Sequence, residues 1–508
     1  MVTVVALLFS FLQFQTSQAR YRWTVHTSSG EVTGFINKTT PNVAQFLGVP
    51  FAESPEGPLR WLPPVLKSRK GRIDATAFGN NCPQYLGNLT TVYSEDATGF
   101  VTPQNIGEDC LSVSIWAPKK ECSETGSLPV IAWLYGGGFN EGGANVPYQN
   151  PAKWVERSQK HIVVSINYRV NIFGFPNAAG LKDDEQNLGF LDQRLGLEWI
   201  RRNIANFGGD PNRITVWGQS AGAMSADYLN FAYLEDPIIS GLIMDSGTAQ
   251  IQGYSVDGLD HSNFTFVATH FGCGNLSAKA ELDCLRNVSS EDIIALIKER
   301  SDAGTTPALM FVATVDNRTL FANYTERALV GNFSKKPAIV GTNADEATSF
   351  TLPYDRANGP DIKAAHLTTL GLFLCPAVKT TQDRYAGDPS TATYRYLYGG
   401  NFTNISPQWW EGAFHSSELP LVFGTHDLLR GPSTPFEIAV SEKMQDYWVA
   451  FAEDPVNGLP KMGWNAYEPT GDAVLIGWHD VVSQPIAEAR LEAPCDGLIP
   501  RPGALPPP

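Results

Sequence analysis

The sequence of 508 residues carries 52 Asp and Glu against 37 Lys and Arg, a formal net charge of −15. A chain this acidic excludes a nucleic-acid-binding protein, because that class needs clustered Lys and Arg to neutralise phosphates. Since neither an internal repeat nor a low-complexity linker divides the chain, we expect a single domain over residues 20–499.

The first residues have the pattern of a secretory signal peptide. The apolar run 2–12 is followed by polar residues that end in Ser17-Gln18-Ala19, so residues 1–19 are predicted to be removed. The run is shorter than the ~20 apolar residues that a membrane span needs, and no later segment is expected to span a membrane. Residues 500–508 form a Pro-rich tail without the hydrophobic ending of a GPI signal.

Two further features agree with secretion. Seven cysteines in a secreted chain make disulfides the default, and the odd number leaves at least one thiol unpaired or paired with another chain. Candidate N-glycosylation sequons begin at Asn37, Asn88, Asn263, Asn275, Asn287, Asn317, Asn323, Asn332, Asn401 and Asn404.

Short apolar runs alternate with longer amphipathic stretches. Strands are predicted over residues 128–135, 161–168, 213–217, 241–245, 337–341, 394–398 and 473–478. Apolar residues at helical spacing predict a helix over 191–207, ended by Gly208-Gly209-Asp210-Pro211. We expect residues 250–335 to form an irregular surface insertion. The order predicts an α/β fold with a mostly parallel central sheet between helices, and catalytic groups on loops at the strands' carboxyl ends.

Gly218-Gln219-Ser220-Ala221-Gly222 is a G-x-S-x-G sequence between a predicted strand and the helix-compatible residues 223–229. A serine raised above a sheet on a strand-to-helix turn has strained backbone angles, and side chains two residues before and after it would clash. The two glycines in this context predict a nucleophile elbow with Ser220 as the nucleophile. An ordinary glycine turn is the alternative, because the pentapeptide by itself is common.

A serine hydroxyl attacks an ester only with a base, an acid that orients the base, and donors for the oxyanion. Tyr135-Gly136-Gly137-Gly138-Phe139 directly follows a predicted strand. Because successive glycines let backbone N–H groups approach a ligand closely, Gly137 and Gly138 are candidate oxyanion donors. Ala221, the residue after the serine, is the third candidate.

The residues alone leave the acid and the base open. Asp345 and Glu346 both lie on the loop that follows the predicted strand 337–341, at a carboxyl end, and either could serve as the acid. Among eight histidines, His415 follows the strand-like residues 394–398 after a loop, and His426 is its nearest rival.

As a set, these segments resemble the type-B carboxylesterase family of α/β-hydrolases, which includes cholinesterases and secreted fungal lipases and esterases. The resemblance keeps the family's order through most of the mature chain, over residues 46–52, 108–111, 135–139, 187–222, 345–346 and 415–424. It implies an α/β-hydrolase fold with large surface insertions. It also favours Glu346 as the acid, Asp345 as a structural hydrogen-bonding partner and His415 as the base.

The activity that the resemblance implies is two-step acyl transfer on a small-molecule ester. Ser220 would attack the carbonyl while His415 takes its proton, Glu346 would stabilise the imidazolium, and water would hydrolyse the acyl-enzyme. This chemistry needs neither a metal nor an organic cofactor. An acyltransferase that uses the same acyl-enzyme is the alternative, and a catalytically silent binding protein is disfavoured by the complete triad. No feature indicates an oligomeric state.

The family's disulfide pattern implies that Cys82 pairs with Cys110 and Cys273 with Cys284. Cys122, Cys375 and Cys495 are then left over, and the sequence does not select a pair among them.

Two departures from the cholinesterases bear on the substrate. The Cys82–Cys110 loop, which borders the gorge in relatives, contains Tyr85, Tyr93 and Phe100 but lacks the tryptophan that binds a quaternary ammonium. The neutral Gln219 also stands where cholinesterases have a glutamate, so a choline ester is not expected.

The same loop is shorter than the lid of fungal lipases and includes the sequon at Asn88. These features favour an esterase that acts on soluble or dispersed esters. Trp409 and Trp410 are candidates for the acyl or alcohol pocket, with ordinary packing at a loop as the alternative.

Overall fold

The computed structural model describes residues 21–68, 71–120, 127–253, 255–256, 260–306 and 309–497. The predicted signal peptide, the Pro-rich tail and Cys122 lie outside these residues. Within them, one mixed sheet includes strands from the first described residue, Tyr21, to Ala487.

The strands of the described residues have the following bounds: β1 Tyr21–His26, β2 Glu31–Asn37, β3 Thr40–Pro50, β4 Arg72–Asp74, β5 Ser112–Pro118, β6 Leu128–Leu134, β7 Ile162–Ile166, β8 Gly209–Gln219, β9 Gly241–Asp245, β10 Ser255–Val256, β11 Ala313–Thr314, β12 Ala338–Asn343, β13 Thr393–Tyr398, β14 Asp472–Trp478 and β15 Val481–Ala487. Among them, twelve form the path β1-β2-β3-β5-β7-β6-β8-β9-β12-β13-β14-β15, and β4 pairs with β2. β10 and β11 form a separate parallel pair.

The centre of the sheet, from β7 to β14, is parallel throughout. β6, β7, β9 and β12 are buried along nearly their whole length, as strands covered on both faces must be. The predicted α/β fold with a mostly parallel sheet is therefore confirmed. The sequence did not indicate that the edges, β1-β2-β3-β5 and β15, would be antiparallel.

The α-helices of the described residues have the following bounds: α1 Val92–Glu95, α2 Ala152–Ser158, α3 Asn171–Gly174, α4 Leu188–Asn203, α5 Ala221–Ala232, α6 Ser262–His270, α7 Ala278–Leu285, α8 Ser290–Asp302, α9 Tyr324–Leu329, α10 Ile362–Thr368, α11 Cys375–Gly387, α12 Leu419–Phe423, α13 Pro435–Glu453 and α14 Glu488–Glu492. A π-helix, Thr369–Leu374, joins α10 to α11. α4 and α5 pack together against β8, while α2, α12 and α13 form a second packed group.

The predicted strands and helix are confirmed, with shifted ends. The helix predicted over 191–207 begins earlier, at Leu188, and its last turn, Ile204–Phe207, ends at Gly208 with a φ of 89°. β8 already begins at Gly209, so Asp210 and Pro211 lie in the strand and not in the turn before it.

The described part of the insertion over residues 250–335 contains regular helices, so the prediction of an irregular segment is wrong there. It contains α6 to α9, and α6, α7 and α8 share a hydrophobic cluster with Trp61 and with α3 and α4. The polar residues and sequons between these helices hid their periodicity in the sequence. Among the described residues, no helix is both long and apolar enough to cross a membrane.

Three disulfides link the described chain. Cys82 is bonded to Cys110 and Cys273 to Cys284. The third joins Cys375, the first residue of α11, to Cys495. It resolves two of the three cysteines that the sequence left unassigned.

Candidate active site

Ser220 lies at the carboxyl end of β8 and directly precedes α5. Its backbone has φ 56° and ψ −124°, a strained conformation for a residue with a side chain. The Ser220 N–H donates to the carbonyl of Asp245, the last residue of β9, at 2.8 Å. The turn therefore holds the serine above the carboxyl ends of the central strands, where a nucleophile elbow presents its hydroxyl.

Gly218 and Gly222, on either side of Ser220, leave no space for a side chain. A Cβ on Gly218 would lie 2.1 Å from the carbonyl oxygen of Gly222, and a Cβ on Gly222 would lie 2.0 Å from that of Leu134. A third glycine, Gly136, faces the serine, because a Cβ there would lie 2.9 Å from Ser220 Cβ. The elbow and the glycine-rich loop after β6 are thus in direct contact.

The three candidate oxyanion donors lie on these two segments. Gly137 and Gly138 have φ values of 105° and 60°, in the left-handed region that glycine adopts at little cost. Ala221 is the first residue of α5, where a backbone N–H has no partner within the helix. In the described part of the chain, none of these three N–H groups donates a hydrogen bond. They remain available to a ligand.

Glu346 lies on the loop that follows β12. Its carboxylate is fully buried and accepts two hydrogen bonds, from the Asn343 N–H at 2.8 Å and from His415 Nδ1 at 2.6 Å. The backbones also meet, because the His415 N–H donates to the Glu346 carbonyl at 3.1 Å. The carboxylate and the imidazole are therefore fixed relative to each other by two contacts.

The proton positions of His415 follow from its neighbours. A carboxylate only accepts, so Nδ1 carries the proton that bonds to Glu346. Nε2 accepts from the side-chain amide of Gln219, at 2.9 Å. Within the described residues the Ser220 hydroxyl makes no hydrogen bond. The ring thus has the tautomer of a general base, and the amide next to the serine occupies its lone pair.

The rival candidates lie outside this arrangement. Asp345 Oδ2 accepts from the Ala413 N–H at 3.0 Å, so Asp345 links the acid loop to the segment that carries the histidine. His426 Nδ1 bonds to the hydroxyl of Ser433 and lies 3.6 Å from Glu437 Oε1.

Two more buried carboxyl groups lie behind the acid. Asn343 donates its side-chain amide to Glu418, and the Trp217 indole donates to Asp245. Burial raises the pKa of Asp245 to about 7 and the pKa of Glu418 well above its ordinary value, and the charge of Glu346 adds to both shifts. Both groups hold their protons to higher pH than exposed carboxyls do, which limits the negative charge around Glu346.

Aromatic rings that the sequence analysis did not single out flank His415. Phe350 and Phe373 are nearly parallel, at 16°, and their centroids lie 4.8 and 4.7 Å from the imidazole. Phe350 is 41% exposed, whereas Phe373 is buried and belongs to the π-helix. Phe350 could have been found from its place four residues after Glu346. A π-helix has no such sequence signal, although this irregularity is common at functional sites.

The Cys82–Cys110 loop reaches the site through one of its three aromatic residues. The Tyr93 hydroxyl donates to the His415 carbonyl at 2.8 Å. Phe100 packs behind it on Phe414, with centroids 6.4 Å apart. Tyr85 packs against the cluster formed by the insertion helices instead. Tyr93 thus holds the backbone of His415 through this hydrogen bond.

A sequence model of the Carboxylesterase family matches residues 22–366 and 354–488. The chain belongs to this family. It is 45% identical to the chlorogenic acid esterase of Aspergillus niger over 471 residues, which cover 89% of this chain and 90% of the relative. It is 44% identical to secreted lipase 5 of Gibberella zeae, with 87% of each chain covered. The para-nitrobenzyl esterase of Bacillus subtilis is more distant, at 30% identity over 89% of this chain and 94% of the relative.

Membership of the carboxylesterase family confirms the α/β-hydrolase fold and the predicted enzyme class, a carboxylic ester hydrolase. Substrates of the family are small-molecule esters.

Two further sets of candidates have a different environment from the one expected. Trp409 and Trp410 do not contact His415; they line a cavity beside the acid loop that neither Ser220 nor His415 borders.

Among the candidate glycosylation sites, Asn404 is buried, and its amide nitrogen donates to the His426 carbonyl at 2.8 Å and to the Ser433 hydroxyl at 3.1 Å. The folded chain therefore does not present this sequon. The other candidate asparagines are exposed, apart from the half-buried Asn263.

Proposed function

We propose that this carboxylesterase is a secreted serine esterase with Ser220 as nucleophile, His415 as general base and Glu346 as the orienting acid. The observation that carries the proposal is the pair of hydrogen bonds made by the His415 ring. Its Nδ1 proton is bonded to the buried carboxylate of Glu346, which leaves the Nε2 lone pair next to the Ser220 elbow. A base with that lone pair can accept the serine proton.

The first half of the reaction acylates the serine. Ser220 Oγ attacks the ester carbonyl while its proton passes to His415 Nε2, and the imidazolium is stabilised by Glu346. The oxyanion receives hydrogen bonds from the N–H groups of Gly137, Gly138 and Ala221. Collapse of the tetrahedral intermediate breaks the ester C–O bond, and His415 returns the proton to the leaving alcohol.

Hydrolysis completes the cycle. Water loses a proton to His415 as it attacks the acyl-enzyme, and the carboxylic acid is released when Ser220 Oγ is protonated again. Before either attack, Gln219 has to release its hydrogen bond to Nε2, because one lone pair cannot accept two protons.

We propose aromatic esters as the preferred substrate class. The parallel rings of Phe350 and Phe373 contact the imidazole that protonates the leaving group, and Phe350 is open to solvent. An aromatic group of the substrate would stack on this exposed ring. A relative of 45% identity named a chlorogenic acid esterase supports the same class, since chlorogenic acid is an aromatic ester.

Secretion is part of the proposal. It rests on the leader pattern of residues 1–19, on three disulfides and on a relative named a secreted lipase. The mature enzyme would be one domain over residues 20–499, with the tail 500–508. Amino-terminal sequencing of the protein from the culture medium should begin at Arg20.

The nucleophile is tested with a fluorophosphonate probe on the secreted protein. Peptide mapping should find one labelled residue, Ser220, and Ser220→Ala should abolish both labelling and ester hydrolysis. Ser225→Ala is the matched control, because Ser225 lies one helical turn further along α5 and bonds to the Ala221 carbonyl. Retained hydrolysis in the Ser220 variant would exclude this mechanism.

The same acyl-enzyme also permits transfer to an alcohol. Rising alcohol concentration at fixed ester separates the two outcomes. A hydrolase continues to release free acid, whereas an acyltransferase forms the new ester in proportion to the alcohol.

A further inference from the structure

A cavity of about 1060 Å³ lies beside the acid loop, between the ends of β13 and β14 and the start of α13. Its wall includes Asp345 and Thr348, but neither Glu346 nor His415. Its volume suits a ligand the size of a small organic molecule, for which pockets of about 300–1,000 Å³ are usual. It is therefore separate from the proposed site of Ser220, His415 and Glu346.

Two exposed tryptophans border this cavity in fixed positions. Trp409 is 71% exposed, yet its indole N–H donates to the Ala357 carbonyl at 3.2 Å. Trp478 is 37% exposed, stacks on His479 with centroids 4.5 Å apart, and packs so closely on Gly399 that a Cβ there would lie 2.5 Å from its ring. Exposed rings held by such contacts form rigid, flat binding surfaces.

The cavity also contains a buried acceptor without a hydrogen-bond donor. Glu437, on the first turn of α13, is 1% exposed. Its Oε1 accepts no hydrogen bond among the described residues. The ring nitrogen His426 Nδ1 lies 3.6 Å from this oxygen, and burial lowers the pKa of His426. A buried carboxyl oxygen in this state is stabilised by a ligand that donates a hydroxyl or amide proton.

One of the candidate sequons lies in the wall of the cavity. Asn401, Phe402 and Thr403 all line it, and the side chain of Asn401 is exposed without a hydrogen bond to the described residues. Asn404, three residues further along, is buried, and its amide nitrogen donates two hydrogen bonds. An N-glycan on Asn401 would begin inside the cavity, next to the ring of Trp478 that packs on Gly399.

We propose that this cavity is a carbohydrate-binding site and that its occupant is the proximal part of the N-glycan on Asn401. Sugar rings present polarised C–H groups that pack on the electron-rich faces of aromatic rings, and their hydroxyl and acetamido groups supply donors to a carboxylate. The two tryptophans and Glu437 offer these contacts within one cavity. The glycan would then tie the loop after β13 to the turn between β14 and β15.

The test uses the full chain secreted from a glycosylating yeast. Peptide mapping should find Asn401 occupied. Under native conditions, endoglycosidase should trim the Asn401 glycan about tenfold more slowly than a glycan on Asn37 or Asn275 in the same sample, since each tenfold corresponds to 1.4 kcal/mol of docking. Trp478→Ala should remove this protection. Trp23→Ala, a half-buried tryptophan on β1, should keep it.

A second measurement distinguishes the chain's own glycan from sugar of another molecule. Asn401→Gln should leave the cavity vacant, so that free chitobiose quenches the tryptophan fluorescence of this variant and not of the glycosylated protein. Ester hydrolysis by each variant reports that it is folded. An unoccupied Asn401, or equal trimming rates at the sequons, overturns the proposal. Chitobiose binding to the fully glycosylated protein assigns the cavity to sugar from another molecule and overturns the assignment to Asn401.

Discussion

The side-chain amide of Gln219 donates to Nε2 of His415, the nitrogen that would take the proton of Ser220 in the proposed reaction, with 2.9 Å between the two nitrogen atoms. The residue before the nucleophile therefore acts on the base as well as on the charge of the site. While it is bonded, the amide occupies the Nε2 lone pair of His415, and it must move before Ser220 can donate to that nitrogen.

Gln219→Glu should change the pH dependence of hydrolysis. A carboxylate at this position favours the protonated imidazolium, which is inactive as a base, so the acidic limb of the kcat/KM–pH profile should move upward by about one pH unit. The variant should also hydrolyse cationic esters better relative to neutral ones. Gln484→Glu on β15 makes the same change in charge far from the site. An unmoved acidic limb would mean that the amide does not contact the imidazole in solution.

Glu346→Gln and Asp345→Asn should differ widely in activity. Without its carboxylate partner the imidazole loses both its tautomer and its stabilisation as a cation, so kcat/KM for Glu346→Gln should fall about 10⁴-fold. In Asp345→Asn an amide oxygen can still accept from the Ala413 N–H, and the loss should stay below about tenfold. Steady-state hydrolysis of a 4-nitrophenyl ester measures both. The reverse order would assign the acid to Asp345.

Gly222→Ala should disable the elbow. The added methyl group would lie 2.0 Å from the Leu134 carbonyl oxygen, so the turn or the end of β6 has to move. A displacement of this size at a nucleophile should lower kcat about 100-fold. Gly87→Ala is the control, because its nearest neighbour would be 4.0 Å away. Full activity in the Gly222 variant would contradict the packing described for the elbow.

Phe350→Ala should discriminate between substrates. Loss of the exposed ring beside His415 should raise KM about three- to tenfold for aryl esters, the range expected for one aromatic pair, and leave short aliphatic esters unaffected. The comparison needs matched esters with the ring in the acyl or the alcohol half. Leu367→Ala, an exposed apolar residue on α10, is the control. Equal changes for aryl and alkyl esters would argue against aromatic recognition by this ring.

Asp245→Asn should flatten part of the dependence of stability on pH. Because burial raises the pKa of Asp245 from 3.8 to about 7, its contribution to the free energy of unfolding is complete below the lower value and is lost as the pH rises through the higher one. An asparagine does not titrate, so the Tm of the variant relative to the parent should increase from about pH 4 to about pH 7. Calorimetry at several pH values measures this difference. A constant difference would show that Asp245 ionises normally.

The sequence predicted the parts of the site that depend on strand ends and close backbone contacts. The strands before Ser220 and before Gly137 and Gly138 are recognisable in the sequence as apolar runs. The glycines of the elbow are needed because a side chain there would collide with backbone nearby. The choice of Glu346 and His415 needed the family resemblance, because a loop carboxylate or histidine has no local pattern that reveals its partner. The ring of Phe373 could not be predicted, since its position depends on a π-helix. Nor could the amide of Gln219, whose bond to His415 joins residues far apart in the chain.

The close contacts that a side chain at Gly218 or Gly222 would make also imply that different parts of the molecule tolerate substitution to different degrees. The elbow and the glycine-rich loop leave almost no space for a larger side chain. A substitution at their glycines is therefore expected to abolish activity and not to change substrate preference. Phe350 stands on a surface loop and Phe373 on an irregular helix, where replacement leaves the elbow untouched. Directed evolution toward new esters should therefore accumulate changes in residues 350–374 and few beside the nucleophile.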